Sequence, residues 1–308
     1  MTNTYAIEAT DLTKQFKNFT LDIPKLQIPQ GFATALIGEN GAGKTTLLNI
    51  LAGLRLDHKG TLSYFGGEAT PLAVEGNCAD GTPVKEHIGY LGDHQYYLPH
   101  WKMSQVRTLM DMLFDSFHAD RFDTLIRELN VEDRKVRELS DGNRMKLMLA
   151  GVFARDTDIL LLDEPASPLD PLMRERLNDM IRSYIAEGAG KRSVFFSTHN
   201  ISDMENVTDY AIIMEHGRIV EAGTVEDLKE KYVLVKGNRD DLMQVQQHLF
   251  TKSENQFGFE GMVLAKDLPQ IATADLVTET PNLFQISVAV MRHYSQLGSI
   301  DTQTEAAG

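Results

Sequence analysis

The chain has 308 residues, enough for one large domain and a smaller one. Lys and Arg number 30 against 44 Asp and Glu, and the resulting formal charge of −14 repels phosphate backbones, which argues against a nucleic-acid partner. One cysteine, Cys78, excludes an intrachain disulfide and suits a reducing compartment. Met1 to Thr10 lacks the basic and apolar regions of a signal peptide, and no apolar run approaches the roughly 18 residues of a membrane span. The sequence therefore predicts a cytosolic chain, or one held at a membrane only through a partner.

Tyr5 to Ala9 and Phe19 to Ile23 alternate as strands do. Phe16 lies between them, about two dozen residues ahead of the next feature, where it reads either as core or as a face on which an adenine could stack. An apolar run, Phe32 to Ile37, then leads into Gly38-Glu39-Asn40-Gly41-Ala42-Gly43-Lys44-Thr45-Thr46, and a helical run from Leu47 to Leu54 follows. Gly, four residues, then Gly-Lys-Thr is a phosphate-loop pattern, which arises by chance in about one chain in a hundred of this length. Its place between a strand and a helix decides for function, because such a turn aims backbone N–H groups and the positive end of a helix at one point. The three glycines are expected to take positive φ and approach phosphate oxygens closely, Lys44 to reach the β and γ phosphates, and Thr45 to hold Mg²⁺.

Thr61 to Phe65 reads as a strand, residues 68 to 86 as a surface excursion and Glu86 to Leu91 as another strand. Ser104 to Leu139 has helical spacing, an insert within an α/β domain. Leu139-Ser140-Asp141-Gly142-Asn143 precedes a helix from Arg144 to Ala154, with Ser140 as N-cap and Gly142 allowing a close backbone approach. Ile159 to Leu162 is a strand buried on both faces, and it delivers Asp163 and Glu164 to the edge where α/β sheets bind ligands. Asp163 suits the Mg²⁺ shell and Glu164 suits a general base. Ser193 to Thr198 brings His199 to the same edge, and Tyr210 to Gly223 forms a hairpin turning at His216-Gly217.

In this order the motifs resemble those of ATP-binding-cassette (ABC) ATPases over about residues 4 to 226. The glycine loop matches Walker A, Leu139 to Asn143 the signature, Ile159 to Glu164 Walker B, Ser167 to Asp170 the D-loop and His199 the switch histidine. The resemblance implies a P-loop α/β nucleotide-binding domain over 1–226 with a helical subdomain at about 91–140. It also implies two cassettes facing head to tail, so that Ser140, Gly142 and Asp170 serve ATP shared with a partner cassette, identical or paralogous. Phe16 becomes the adenine-stacking aromatic. Two departures stand out. The signature has Asp141 and Asn143 where the common form has Gly and Gln, and an ungapped alignment puts Asp93 at the Q-loop glutamine position, with Gln95 two residues later. Asp93 is itself a hard oxygen ligand for Mg²⁺.

Residues 227–308 read as a small α+β appendix, with strands at Tyr232 to Lys236 and Gly261 to Ala265 and helices at Asp240 to Phe250 and Asn282 to Tyr294. Its order is similar to the tails of bacterial cassettes serving exporter-type permeases for drugs, peptides or polymers. The resemblance thus implies an ATP-hydrolysing subunit that drives a separate membrane permease, peripheral on the inner face of the cell membrane. The alternative is a soluble clamp in DNA repair, ribosome handling or cofactor assembly. No coiled coil, zinc-type cysteine set or second cassette in the sequence favours that alternative.

Overall fold

The computed structural model describes residues 4–92, 96–271 and 276–305, and the two Q-loop candidates, Asp93 and Gln95, lie outside the described residues. The chain begins with β1 (Tyr5–Gln15) and β2 (Thr20–Pro29), joined by a turn in which the Phe16 N–H donates to the Phe19 carbonyl. β3 (Ala33–Ile37) follows, then α1 (Lys44–Leu51) and β4 (Lys59–Tyr64). α1 begins on the glycine loop itself, with Gly43 as N-cap, and is over by Gly53, whose φ is +71°.

The excursion expected at the surface is partly core. Ala73, Val74, Cys78 and Val84 are buried, and Asn77 pairs with Pro83 across a short bridge. Burial, then the charge of Asp80, pushes the Cys78 thiol up to about 11. α2 (Val84–His87) runs directly into β5 (Ile88–Leu91).

The helical stretch resolves into α3 (Met103–Leu113) and α4 (Ala119–Glu128), broken at Phe114, where the backbone is extended. α5 (Asp141–Phe153) follows, then β6 (Ile159–Leu162), α6 (Pro171–Glu187), β7 (Ser193–Thr198), β8 (Tyr210–Glu215) and β9 (Arg218–Thr224). The remaining elements are α7 (Val225–Lys231), β10 (Tyr232–Gly237), α8 (Arg239–Val245), β11 (Thr251–Asn255), β12 (Gly258–Leu264), β13 (Val277–Glu279) and α9 (Leu283–Glu305).

The central sheet has the order β5-β6-β7-β3-β8-β9, parallel except for β9. Because side chains alternate across a strand, the sheet divides two cores. Leu36, Leu161 and Phe195 pack with α1 and the antiparallel sheet β2-β1-β4 on one face. Ile37, Leu160, Leu162 and Phe196 pack with α5 and α6 on the other. The same order makes β6, β7 and β3 neighbours, so the loops leaving their C-terminal ends meet at one edge.

The C-terminal part forms a third sheet, β11-β12-β10-β13. Its last helix returns to the main core, where Leu283, Ile286, Ala289 and Val290 join the cluster that holds Leu160 and Phe196. The Leu283 N–H donates to Glu205 at 2.9 Å and the Ser295 hydroxyl to Glu215 at 3.0 Å, which fixes both ends of the contact. Among the described residues no helix is long and apolar enough to cross a membrane.

Candidate active site

Three chain segments converge at the C-terminal edge of β6, β7 and β3 around a cavity of about 720 Å³. The glycine loop forms its floor. Gly41 and Gly43 have φ of +88° and +104°, as the pattern requires. Gly38 does not, and here the sequence expectation is corrected: an added Cβ would lie 2.6 Å from the Met214 carbonyl, so glycine is needed for close approach rather than for positive φ. Glu39 and Ala42 shape the loop through the Ala42 N–H donating to the Glu39 carbonyl at 3.1 Å.

Asn40, Gly41, Gly43, Lys44, Thr45 and Thr46 line the cavity together with Phe16, Phe19, Asp163 and Glu164. Lys44 is buried, and its ammonium donates to the carbonyls of Gly38 at 2.7 Å and Glu39 at 3.2 Å. Phe16 sits with its ring 5.9 Å from that of Phe19 and within cation–π range of Lys14 and Arg55. The sequence reading missed Phe19, whose ring packs over the loop: a Cβ on Gly43 would come within 2.8 Å of its Cζ.

The carboxylates at the end of β6 are held by a residue that sequence reasoning did not single out. Ser197, fully buried in β7, donates its hydroxyl to Asp163 Oδ1 at 2.5 Å and accepts the Glu164 N–H at 2.9 Å. Glu164 has φ of +48°, a left-handed backbone that costs a non-glycine residue about 1–2 kcal/mol, and the Ser197 bond helps hold it there. From this position Oε2 meets His199 Nδ1 at 2.8 Å and Oε1 lies 3.5 Å from Lys44 Nζ. A carboxylate, an imidazole and an ammonium thus converge on the rim of the phosphate loop.

The donor set fits a magnesium nucleotide. Thr45 and the buried Asp163 present hard oxygens to the same cavity, and the loop supplies the N-terminus of α1 and a lysine for phosphate.

Ser140, Gly142 and Asp170 are not among the residues lining this cavity. Ser140 caps α5, accepting from the Asn143 N–H at 3.3 Å, and Gly142 lies against the Pro168 carbonyl, so the signature and the D-loop share one surface. Asp170 caps α6, accepting from the Met173 N–H at 3.0 Å, and Pro171 follows it at the first helical position. The substituted Asp141 is 86% exposed and pairs with Arg144 at 2.8 Å, so its charge is turned along its own helix and countered there.

Comparison with known proteins agrees with this geometry. The family described as ABC transporter matches residues 21–167. A protein of Chlorella vulgaris named as a probable sulfate/thiosulfate import ATP-binding protein is 30% identical over 71% of this chain and 92% of its own length. The daunorubicin/doxorubicin resistance ATP-binding protein of Streptomyces peucetius is 29% identical over 73% of this chain and 67% of its own length. The chain spans 59% and 54% of the length of the first two curated relatives it matches. A bacterial ABC transporter cassette solved as a dimer shares the fold, with a TM-score of 0.59 at 19% identity over 71% of this chain and 98% of that one. On the strength of these matches, the chain belongs to the family of ABC transporter ATP-binding proteins.

Proposed function

We propose that the chain is the ATP-hydrolysing subunit of an exporting ABC transporter, paired with a second cassette and coupled to a separate membrane-spanning permease. The observation that carries the hydrolytic reading is Glu164, held over the phosphate loop between His199 and Lys44.

ATP enters with its triphosphate on the glycine loop. Lys44 transfers its ammonium from the Gly38 and Glu39 carbonyls and from Glu164 to the β and γ phosphates, which frees the Glu164 carboxylate. Glu164 then takes a proton from a water aimed at the γ phosphorus. The water oxygen bonds to the γ phosphorus as the bond to the bridging oxygen breaks, so that inorganic phosphate forms and ADP leaves with the electron pair. His199 holds the carboxylate in position through its Nδ1 contact and stands where it can sense the γ phosphate. Mg²⁺ bound by Thr45 and Asp163 would neutralise phosphate charge.

Ser140 and Gly142 lie off the cavity at the exposed N-terminus of α5, which supports assigning them to ATP held by a partner cassette, head to tail. The fold shared with a cassette solved as a dimer agrees with this arrangement. For the permease we assign a groove of about 450 Å³ between the central sheet and α3, lined by Tyr90, Tyr97, Leu109 and Leu113, with Lys85 and Arg155 among its walls. Its apolar floor suits the apolar face of a short amphipathic segment. Export is assigned because β10 to α9 extend the cassette with a tail similar to those of exporter-type subunits, and because one relative is named for drug resistance.

Glu164→Gln tests the hydrolytic reading. The variant is expected to bind ATP as the parent does and to lose steady-state turnover. Hydrolysis at the parent rate would remove Glu164 as the base.

A further inference from the structure

Away from the nucleotide cavity, Cys78, Asp80 and His87 bring the sulfur, a carboxylate oxygen and a ring nitrogen within 4.8 Å of one another. The loop that carries the first two is tightly set. The Cys78 N–H donates to the Thr82 carbonyl at 2.8 Å, the Gly81 N–H to the Cys78 carbonyl at 2.9 Å, and the Thr82 N–H to Asp80 Oδ1 at 3.0 Å. Gly81 supplies the left-handed residue at φ +86°. His87 is oriented from its far side, where Nδ1 meets the Asp158 carboxylate. That contact turns Nε2 toward the loop.

Between these groups sits the Thr82 hydroxyl, 2.5 Å from Asp80 Oδ1 and 2.5 Å from His87 Nε2. The hydroxyl thus stands at the point on which the Asp80 oxygen and the His87 nitrogen converge, beside the Cys78 sulfur and with a second carboxylate, Asp158, behind the ring. A cation at that point would meet all three donor atoms at once. Thr82 is exposed and can clear the centre by rotating about χ1.

We propose that Cys78, Asp80 and His87 form a binding site for a zinc-class divalent transition cation, with Asp158 as the carboxylate that orients His87. Sulfur and imidazole select such ions over Mg²⁺, which prefers oxygen. Binding forms the metal–sulfur bond as the thiol proton leaves to solvent, and three protein ligands leave a fourth position for water. His87 and Asp158 directly precede β5 and β6, so the ion would clip the 77–82 loop to the N-terminal ends of both strands. The nucleotide cavity lies at the opposite ends, and the role assigned to the ion is structural and independent of hydrolysis.

The full-length chain without nucleotide or Mg²⁺ is titrated with Co²⁺. Since the chain has one cysteine, a thiolate-to-cobalt charge-transfer band reports Cys78 alone. The band should saturate at one equivalent, disappear when Zn²⁺ is added, and require about tenfold or more additional metal in His87→Ala and in Asp158→Asn. Because either variant can lose stability for other reasons, the parent chain is also melted with and without Zn²⁺, and Zn²⁺ should raise its Tm. No thiolate band at about a hundredfold excess of Co²⁺, no Tm shift in the parent, or an unchanged affinity in a folded His87→Ala variant would each overturn the site.

Discussion

Ser197 makes two of the bonds on which the hydrolytic site depends, one to each acidic residue of the pair Asp163-Glu164. Replacing it with alanine removes the Ser197 acceptor from the part-buried Glu164 N–H and the Ser197 donor from the buried Asp163 carboxylate, at a cost of about 1–3 kcal/mol. Ser197→Ala is therefore expected to lower the urea midpoint, to keep nucleotide binding, and to slow hydrolysis by about 10- to 100-fold, the usual effect of losing a group that positions metal and base ligands. Full activity in a destabilised variant would assign Ser197 to folding alone. The placement of Asp163, Glu164 and His199 at one edge was legible because each follows an apolar run that ends at the C-terminal edge of a parallel sheet. Ser197 was not, since all six residues of β7 are buried and no alternation marks it. The left-handed Glu164 was equally hidden, because nothing in an acidic side chain announces positive φ.

The hairpin β8–β9 shows what an element contributes beyond its own hydrogen bonds. Its turn at His216-Gly217 was readable from the sequence, but its role was not. The Gly217 N–H donates to the Ala42 carbonyl at 3.0 Å and its carbonyl accepts the Asp22 N–H at 2.8 Å, so the turn braces the phosphate loop against β2. Gly217 has φ of +79°, and a Cβ there would lie 2.1 Å from the Thr20 carbonyl. Gly217→Ala is expected to cost at least about 1–2 kcal/mol from backbone strain alone and to weaken ATP binding by moving Ala42. A melt and a nucleotide titration on the same preparation check both, and a lower Tm with unchanged ATP affinity would refute the bracing role. β11 and β13 escaped the sequence reading for a different reason. They are the outer strands of the third sheet, short and charged at Lys252, Glu254 and Glu279, a composition that keeps sheet edges from pairing with other chains and that reads as loop.

At the scale of the whole molecule, the parallel sheet places three loops together and α9 ties the C-terminal part to the same core. The division of the chain at residue 227 was drawn from composition and motif order, neither of which reveals a helix that returns across the boundary. Leu283 and Ile286 are fully buried against the main core, so Ile286→Ala should cost about 2–5 kcal/mol and lower the stability of the nucleotide-binding part as well. Denaturation followed by both tryptophan fluorescence and loss of nucleotide binding checks this, since Trp101 packs against that core. An unshifted loss of nucleotide binding would show that the two parts unfold independently. The proposed coupling of this ATPase to a membrane partner is tested most directly by extracting membranes of the native host in detergent, with a tagged Glu164→Gln chain, ATP and Mg²⁺ present. The account predicts that a multi-span membrane protein co-purifies in a fixed ratio to the tagged chain. Recovery of the chain in the soluble fraction only, with soluble partners, would contradict it.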